Sequence, residues 1–357
     1  MEAGRQGGVA PGAAAVVLAR GAVVHASVHG LAQRVPEPRA LGPADLFDLA
    51  SLTKVVATAS LAALLAEEGT LPLDAPAARW LPGLAAGGGA AITVRHLLAH
   101  ASGMAAWRPL SARTRGRDAI LAAVLAEPLE AAPGSRAVYS DLGFVALGAV
   151  VEAAAGAPLD VLFDARVAGP LALADTFFLP ARDPALAARR RAAHGFAAAR
   201  RVVDDAGHGV LCGEVDDDNA RAMGGVAGHA GLFGSARDVA RLGQAWLDAV
   251  HGRSPWLGAD TAARFVARDA ATPGSERALG WDTPSREGSS LGARLGRGPR
   301  GAVGHLGFTG TSLWVDLDHE VVCALLTNHV HPDGADRARM RAFRATFHDA
   351  VAEALGI

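Results

Sequence analysis

Ser51 and Lys54 stand three residues apart in the run DLASLTKVV, residues 48–56. On a helix that spacing sets both side chains on one face. A serine at a helix start also gains outward-pointing backbone N–H groups and the positive end of the helix dipole, both of which favour a developing oxyanion. A hydroxyl, an amine and free N–H donors together are equipment for acyl transfer. The amine must first lose a proton, and an ordinary pKa of about 10.4 keeps it charged at neutral pH. Burial against the apolar VVATASLAALL and a neighbouring cation would bring it toward about 7–8. The same tetrapeptide also reads as a serine cap followed by a surface lysine.

Composition separates the two readings. The chain has 33 arginines and one lysine, Lys54; one tyrosine, Tyr139; and two asparagines, Asn219 and Asn328. Abundant Ala, Gly, Arg and Pro beside scarce Lys, Tyr and Asn is the imprint of a GC-rich genome. Codon pressure explains why lysines are missing, not why one stays. Arginine replaces a surface lysine at little cost, but guanidinium does not deprotonate and cannot replace a lysine that must. Tyr139, in RAVYSDLGF, invites the same argument. Phenylalanine can replace a packing tyrosine but supplies no hydroxyl, and a phenol near cations can relay a proton.

A third stretch, GHLGFTGTSLWVDL, places His305, Gly307 and Gly310 at the opening of a strand. Glycines there mark a close approach of backbone or ligand. An edge strand would let a substrate pair with it and would offer a backbone N–H to an oxyanion. An ordinary strand with a bulge has the same sequence.

Around these residues the chain supplies enough for a large core: 357 residues, half of them hydrophobic, 20% charged. The net charge of -2 and the lack of a basic stripe argue against a nucleic-acid partner. Arg189, Arg190 and Arg191 read as a solvated helix face. Cys212 and Cys323 form no zinc pattern or disulfide framework, though two cysteines permit one bridge. The apolar run AAAVVLARGAVVHASVHG is broken by Arg20-Gly21, which suits a hairpin over about 12–30 better than a signal peptide or membrane span. The expectation is a cytoplasmic protein as written, or a periplasmic or secreted one if a leader has been trimmed, with no membrane segment.

The elements follow. An Ala/Leu-rich helix runs from Ser51 to Glu68 and stops at Gly69. Residues 71 to about 200 alternate helical patterns with Gly/Pro punctuation. Ser235 caps a further helix. TSLWVDLDHEVVCALLTNHV reads as two strands turning at Asp318-His319, and an amphipathic helix closes the chain. The expected fold is α+β: an antiparallel sheet built from both termini, residues 1–70 and 220–357, flanked by helices. A mostly helical insertion, 71–219, faces it across a cleft.

In order, Ser51-x-x-Lys54, Tyr139-Ser140-Asp141 and His305-x-Gly307 resemble the three signature motifs of the serine β-lactamase and penicillin-binding-protein superfamily. The class C-type branch, with its esterases, D-aminopeptidases and D-Ala-D-Ala carboxypeptidases, is the nearest likeness, and ITVRHLLAHASGM and GGVAGHAGLFGSARDVARL also look typical of it. The resemblance spans about residues 10 to 330. It implies the same fold, an acyl-enzyme on Ser51, proton exchange between Lys54 and Tyr139, and an oxyanion hole from the N–H groups of Ser51 and Phe308. It implies substrate contacts at Asp141, His305 and Gly307, and no cofactor or metal. Two departures stand out. Asp141 occupies a place where the family commonly has Asn; an ionised Asp141 would favour the ammonium form of Lys54 and leave Tyr139, held as phenolate by Lys54, as the main base. His305 replaces a common lysine and, being largely neutral, would hold a substrate carboxylate less firmly. The expected substrates are small esters or amides, including D-amino-acid peptides. Alternatives are a penicillin-binding carboxypeptidase, a β-lactamase, or an inactive module that binds peptidoglycan-like peptides.

Some residues are set aside. His96 and His100 have metal-ligand spacing on an expected helix, but Leu97 stands where the zinc motif needs glutamate. His329 and His331 read as loop residues. His229, in the glycine-rich GHAGLF, is a candidate for the substrate side of the cleft, and Asn219 for orienting that loop.

Overall fold

The computed structural model of the chain describes residues 8–204, 207–334 and 336–357. Its largest sheet runs in the order Ala302–Leu306, Ser312–Asp316, Val321–Thr327, Gly12–Ala19, Ala22–Gln33, Arg39–Ala40. Every pairing in it is antiparallel. Strands from the two ends of the chain therefore lie side by side, with Ala13 opposite Thr327 and Ala19 opposite Val321. Asn328 fastens this seam: its Oδ1 accepts the Gly12 N–H at 2.8 Å, and its Nδ2 donates to the carbonyls of Leu31 and Ala32.

The alternation of the strands sorts their side chains into two cores. Ala14, Val16, Leu313, Val315, Val322 and Ala324 join the larger one, under the helix Ala236–Val250. Ala15, Val17, Trp314, Cys323 and Leu325 point the other way and pack on Phe347 and Ala352 of the helix Arg337–Leu355. The sheet thus has helices on both faces. Ser235 caps the first helix, its Oγ accepting the Asp238 N–H.

The middle of the chain is mostly helical, with Val94–Leu98, Arg117–Ala126, Asp141–Ala155 and Pro184–Ala193 as its main pieces. The helix Asp141–Ala155 is buried along most of its length; Ser140 caps its start and Gly156, at φ +70°, ends it. The larger core continues without a break from the sheet into these helices.

Two features differ from the sequence reading. A second sheet of two- to four-residue strands joins Phe177–Phe178, Leu232–Gly234, Asp45–Asp48 and Gly195–Phe196. GHLGFTGTSLWVDL is two strands, not one, so His305 stands next to the end of the strand Ala302–Leu306 rather than at an opening, and Gly307 to Thr311 make the turn. Gly310, inside that turn, sits at φ +104°, where only glycine is at ease.

Candidate active site

The short strand Asp45–Asp48 delivers the chain into a tight bend before Ser51. Ala50 holds φ +47°, a left-handed conformation that alanine rarely adopts. The bend is fastened from several sides. The Asp48 carboxylate accepts N–H bonds from Ala50 at 2.8 Å and Asp216 at 2.6 Å. Thr309 Oγ1 donates to the Asp48 carbonyl at 2.7 Å, and Thr311 Oγ1 to that of Leu49 at 3.0 Å. Burial, with Asp216 adding to it, pushes the Asp48 carboxyl up to about 7. From here the helix Ala50–Glu67 starts as a 3₁₀ turn, widens into π-helix over Lys54–Ala59, and becomes α-helical at Ser60. π-Helical widenings occur frequently at functional sites. This helix is long and apolar enough to cross a membrane by composition, but 83% of it is buried inside the protein as a core element.

Lys54 is fully buried, and its ammonium has three partners: Ser51 Oγ at 3.0 Å, Asp141 Oδ1 at 2.7 Å and the His229 carbonyl at 3.1 Å. Burial pulls the Lys54 pKa down, but the Asp141 carboxylate and Tyr139 outweigh it and the net shift is upward. The direction agrees with the expectation that an ionised Asp141 favours the ammonium form, and not with the one that a neighbouring cation lowers the pKa. Tyr139 lies beside the pair, with Lys54 Nζ 4.9 Å from its ring centre. Burial raises the phenol's pKa, and hydrogen bonding to Lys54 and Ser51 offsets only part of that. Asp141 thus favours the ammonium form of Lys54, and burial favours the neutral form of the Tyr139 phenol.

Across the cleft runs the edge strand Ala302–Leu306. Gly304 exchanges hydrogen bonds outward with Asp282, whereas Gly307 N–H turns inward to the Thr311 carbonyl. The alternation leaves the Leu306 and Phe308 backbone facing the open edge, and the Phe308 N–H has no acceptor among the described residues. Gly307 admits no side chain: a Cβ there would sit 2.0 Å from Thr311 Oγ1 and 2.7 Å from the Leu49 carbonyl. Arg344, buried on the C-terminal helix, donates to the carbonyls of Gly307 and Thr311. His305 is buried with Nδ1 on the Leu306 carbonyl at 2.9 Å, and burial brings its pKa down to about 4, so the ring is neutral.

Ser51, Tyr139, Asp141, His305, Gly307 and Phe308 line one cavity of about 1080 Å³. Trp107 and Phe308, 45% and 47% exposed, are large apolar side chains on its wall. His229 stands behind Lys54 rather than on that wall, its Nε2 2.9 Å from Asp217 Oδ1. Asn219 fixes a neighbouring segment, accepting from Ser111 N–H and donating to the Arg108 carbonyl.

Sequence reasoning missed Asp48, Thr309, Thr311 and Arg344, which carry no local motif and meet only through the fold. It also read His96 and His100 on one helix. That helix ends at Leu98; the His96 ring faces the Thr93 cap, and His100 lies beyond at φ +56°. The His331 ring bonds the backbone of Arg34 and Ala199. Cys212 and Cys323 are free thiols, one exposed and one buried.

The sequence matches the profile of the family described as Beta-lactamase over residues 1–346. It is 32% identical over 348 residues to an N-acetylmuramyl-L-alanine amidase of Bacillus subtilis, covering 90% of this chain and 78% of that protein. It is 33% identical over 354 residues to Esterase EstB of Burkholderia gladioli, covering 89% and 86%. In three dimensions it overlays on a penicillin-binding protein homologue from Caulobacter crescentus with a TM-score of 0.71 at 22% identity, over 97% of this chain and 94% of that one.

Proposed function

Because the chain belongs to the Beta-lactamase family and is a serine hydrolase, we propose that it cleaves small carboxylic esters through an acyl-enzyme on Ser51. The single observation that carries this reading is the contact of Ser51 Oγ with a buried ammonium that also binds Asp141. The network sheds one proton to become active. Ser51 Oγ then attacks the substrate carbonyl carbon as its own proton passes to Tyr139, with Lys54 stabilising the phenolate. The carbonyl oxygen becomes an oxyanion between the N–H groups of Ser51 and Phe308. When the tetrahedral species collapses, Tyr139 returns the proton to the departing alcohol. Water enters by the same route in reverse and frees the acid.

Two features favour esters with an apolar part. Trp107 and Phe308 offer apolar surface on the cavity wall, and the neutral His305 supplies no fixed positive charge for a substrate carboxylate. Amides and peptides form a second reading, favoured by Arg337, Arg341 and Arg344 on the same cavity and by the amidase among the relatives. The test is labelling with a fluorophosphonate and a fluorescent penicillin, mass mapping of the adduct, and a panel of p-nitrophenyl esters against D-amino-acid amides. An adduct on Ser51 with ester turnover is the expected result. Labelling by neither reagent overturns the hydrolytic mechanism, and a high kcat/KM on penicillins overturns the ester preference.

A further inference from the structure

We propose that His100 is the positioning residue for Tyr139, gripping it from both sides along the chain. Resting on the reading of Tyr139 as proton carrier, this gives a role to a histidine that metal-ligand spacing does not explain. The two backbone N–H groups that flank Tyr139 both end on His100. The Val138 N–H donates to the His100 carbonyl at 2.8 Å, and the Ser140 N–H to its ring Nδ1 at 3.0 Å. The imidazole also lies against the phenol, ring centres 4.6 Å apart, with Phe144 at 4.8 Å. One residue thus fixes the peptide before Tyr139, the peptide after it and the ring itself.

The position is costly for a histidine. The backbone holds φ +56°, and the side chain is 3% exposed. Nδ1 can accept only when unprotonated, which puts the proton of the neutral ring on Nε2. Nε2 is buried with no partner among the described residues. Such an unpaired buried group is unfavourable, and an apolar ring would avoid it. Burial, helped by Arg277, Lys54 and His305, holds the imidazole well below its usual pKa and so keeps Nδ1 an acceptor. The lone pair on Nδ1 is what phenylalanine would lack.

The experiment compares His100→Asn with His100→Gly. Both residues accept a left-handed backbone. Asparagine keeps an acceptor near the place of Nδ1, and glycine keeps none. In His100→Gly, kcat falls about 10²-fold with KM changed by less than about 3-fold. His100→Asn recovers to within about 10-fold of the parent. Tyr139 is the sole tyrosine, so the tyrosinate band in the near ultraviolet reports its titration alone. That titration shifts in His100→Gly and returns toward the parent in His100→Asn. Should the glycine variant fail to fold, His100→Ala takes its place with the same expectations, since alanine holds a left-handed backbone at Ala50 in this protein. Folded variants with parental kcat and an unmoved tyrosinate titration overturn the assignment, as does an asparagine variant no better than glycine. Tyr139→Phe separates the two ideas. If it is inactive while His100→Gly is fully active, only the positioning role fails; if it keeps parental kcat, the proton-carrier reading itself falls.

Discussion

At the scale of single residues, the chemistry turns on where one proton sits. Lys54 and Tyr139 both hold theirs more tightly than usual, so on the proposed mechanism the base that activates Ser51 has to be made by deprotonation. For the parent, kcat/KM is expected to rise with pH through the neutral and mildly alkaline range. The Asp141 carboxylate stabilises the protonated network, because it favours the ammonium. Asp141→Asn removes that anion, lets the proton leave at lower pH, and moves the rising limb of the profile down. A pH–rate profile of the two proteins on one ester decides this; a limb that stays or moves up refutes it. Lys54→Arg keeps a cation but no releasable proton. Its acylation rate, followed by burst kinetics, is expected to drop at least about 10²-fold. Scarcity made these residues legible: in a chain poor in Lys and Tyr, both meet at one serine. The ammonium form of Lys54 was legible too, because Asp141 stands two residues after Tyr139 in the same motif; the burial that raises the phenol's pKa was not, because it comes from the fold around it.

At the scale of elements, the proposed oxyanion side is a turn strapped to a bend. Thr309 and Thr311 tie the turn after His305 to the carbonyls just before Ser51, and Arg344 holds the turn from behind. The distance between the Ser51 and Phe308 amides is therefore set by these straps rather than by either element alone. Gly307→Ala pushes a methyl group into Thr311 Oγ1 and the Leu49 carbonyl. The expected result is a fall of about 10²-fold in kcat with the fold retained by circular dichroism. A parental kcat would show that the straps do not set the site. The hairpin, the Ser51 helix and the C-terminal strands could be read from alternation and capping. The four-stranded small sheet could not, because strands of two to four residues leave no periodic pattern. Nor could the π-helical stretch over Lys54–Ala59, whose apolar residues suit an α-helix equally well.

At the scale of the whole molecule, the sheet closes only when both ends of the chain meet, and Asn328 spans that meeting with three hydrogen bonds to backbone. Asn328→Ala leaves buried backbone groups unpaired and is expected to cost about 3 kcal/mol, read from urea unfolding. A loss within about 0.5 kcal/mol, the usual range of a surface change, would mean the seam is held elsewhere. The asparagines thus repeat, for the scaffold, what the sole lysine and tyrosine show for the site: the rare residue types sit where no common one substitutes. The burial of Lys54 has a practical corollary. It is the only side-chain primary amine, and it faces inward, so reagents such as succinimidyl esters or aldehydes find no side-chain target on the outer surface. A dye coupled through a lysine would have to enter by way of the cleft, and its presence there would block turnover.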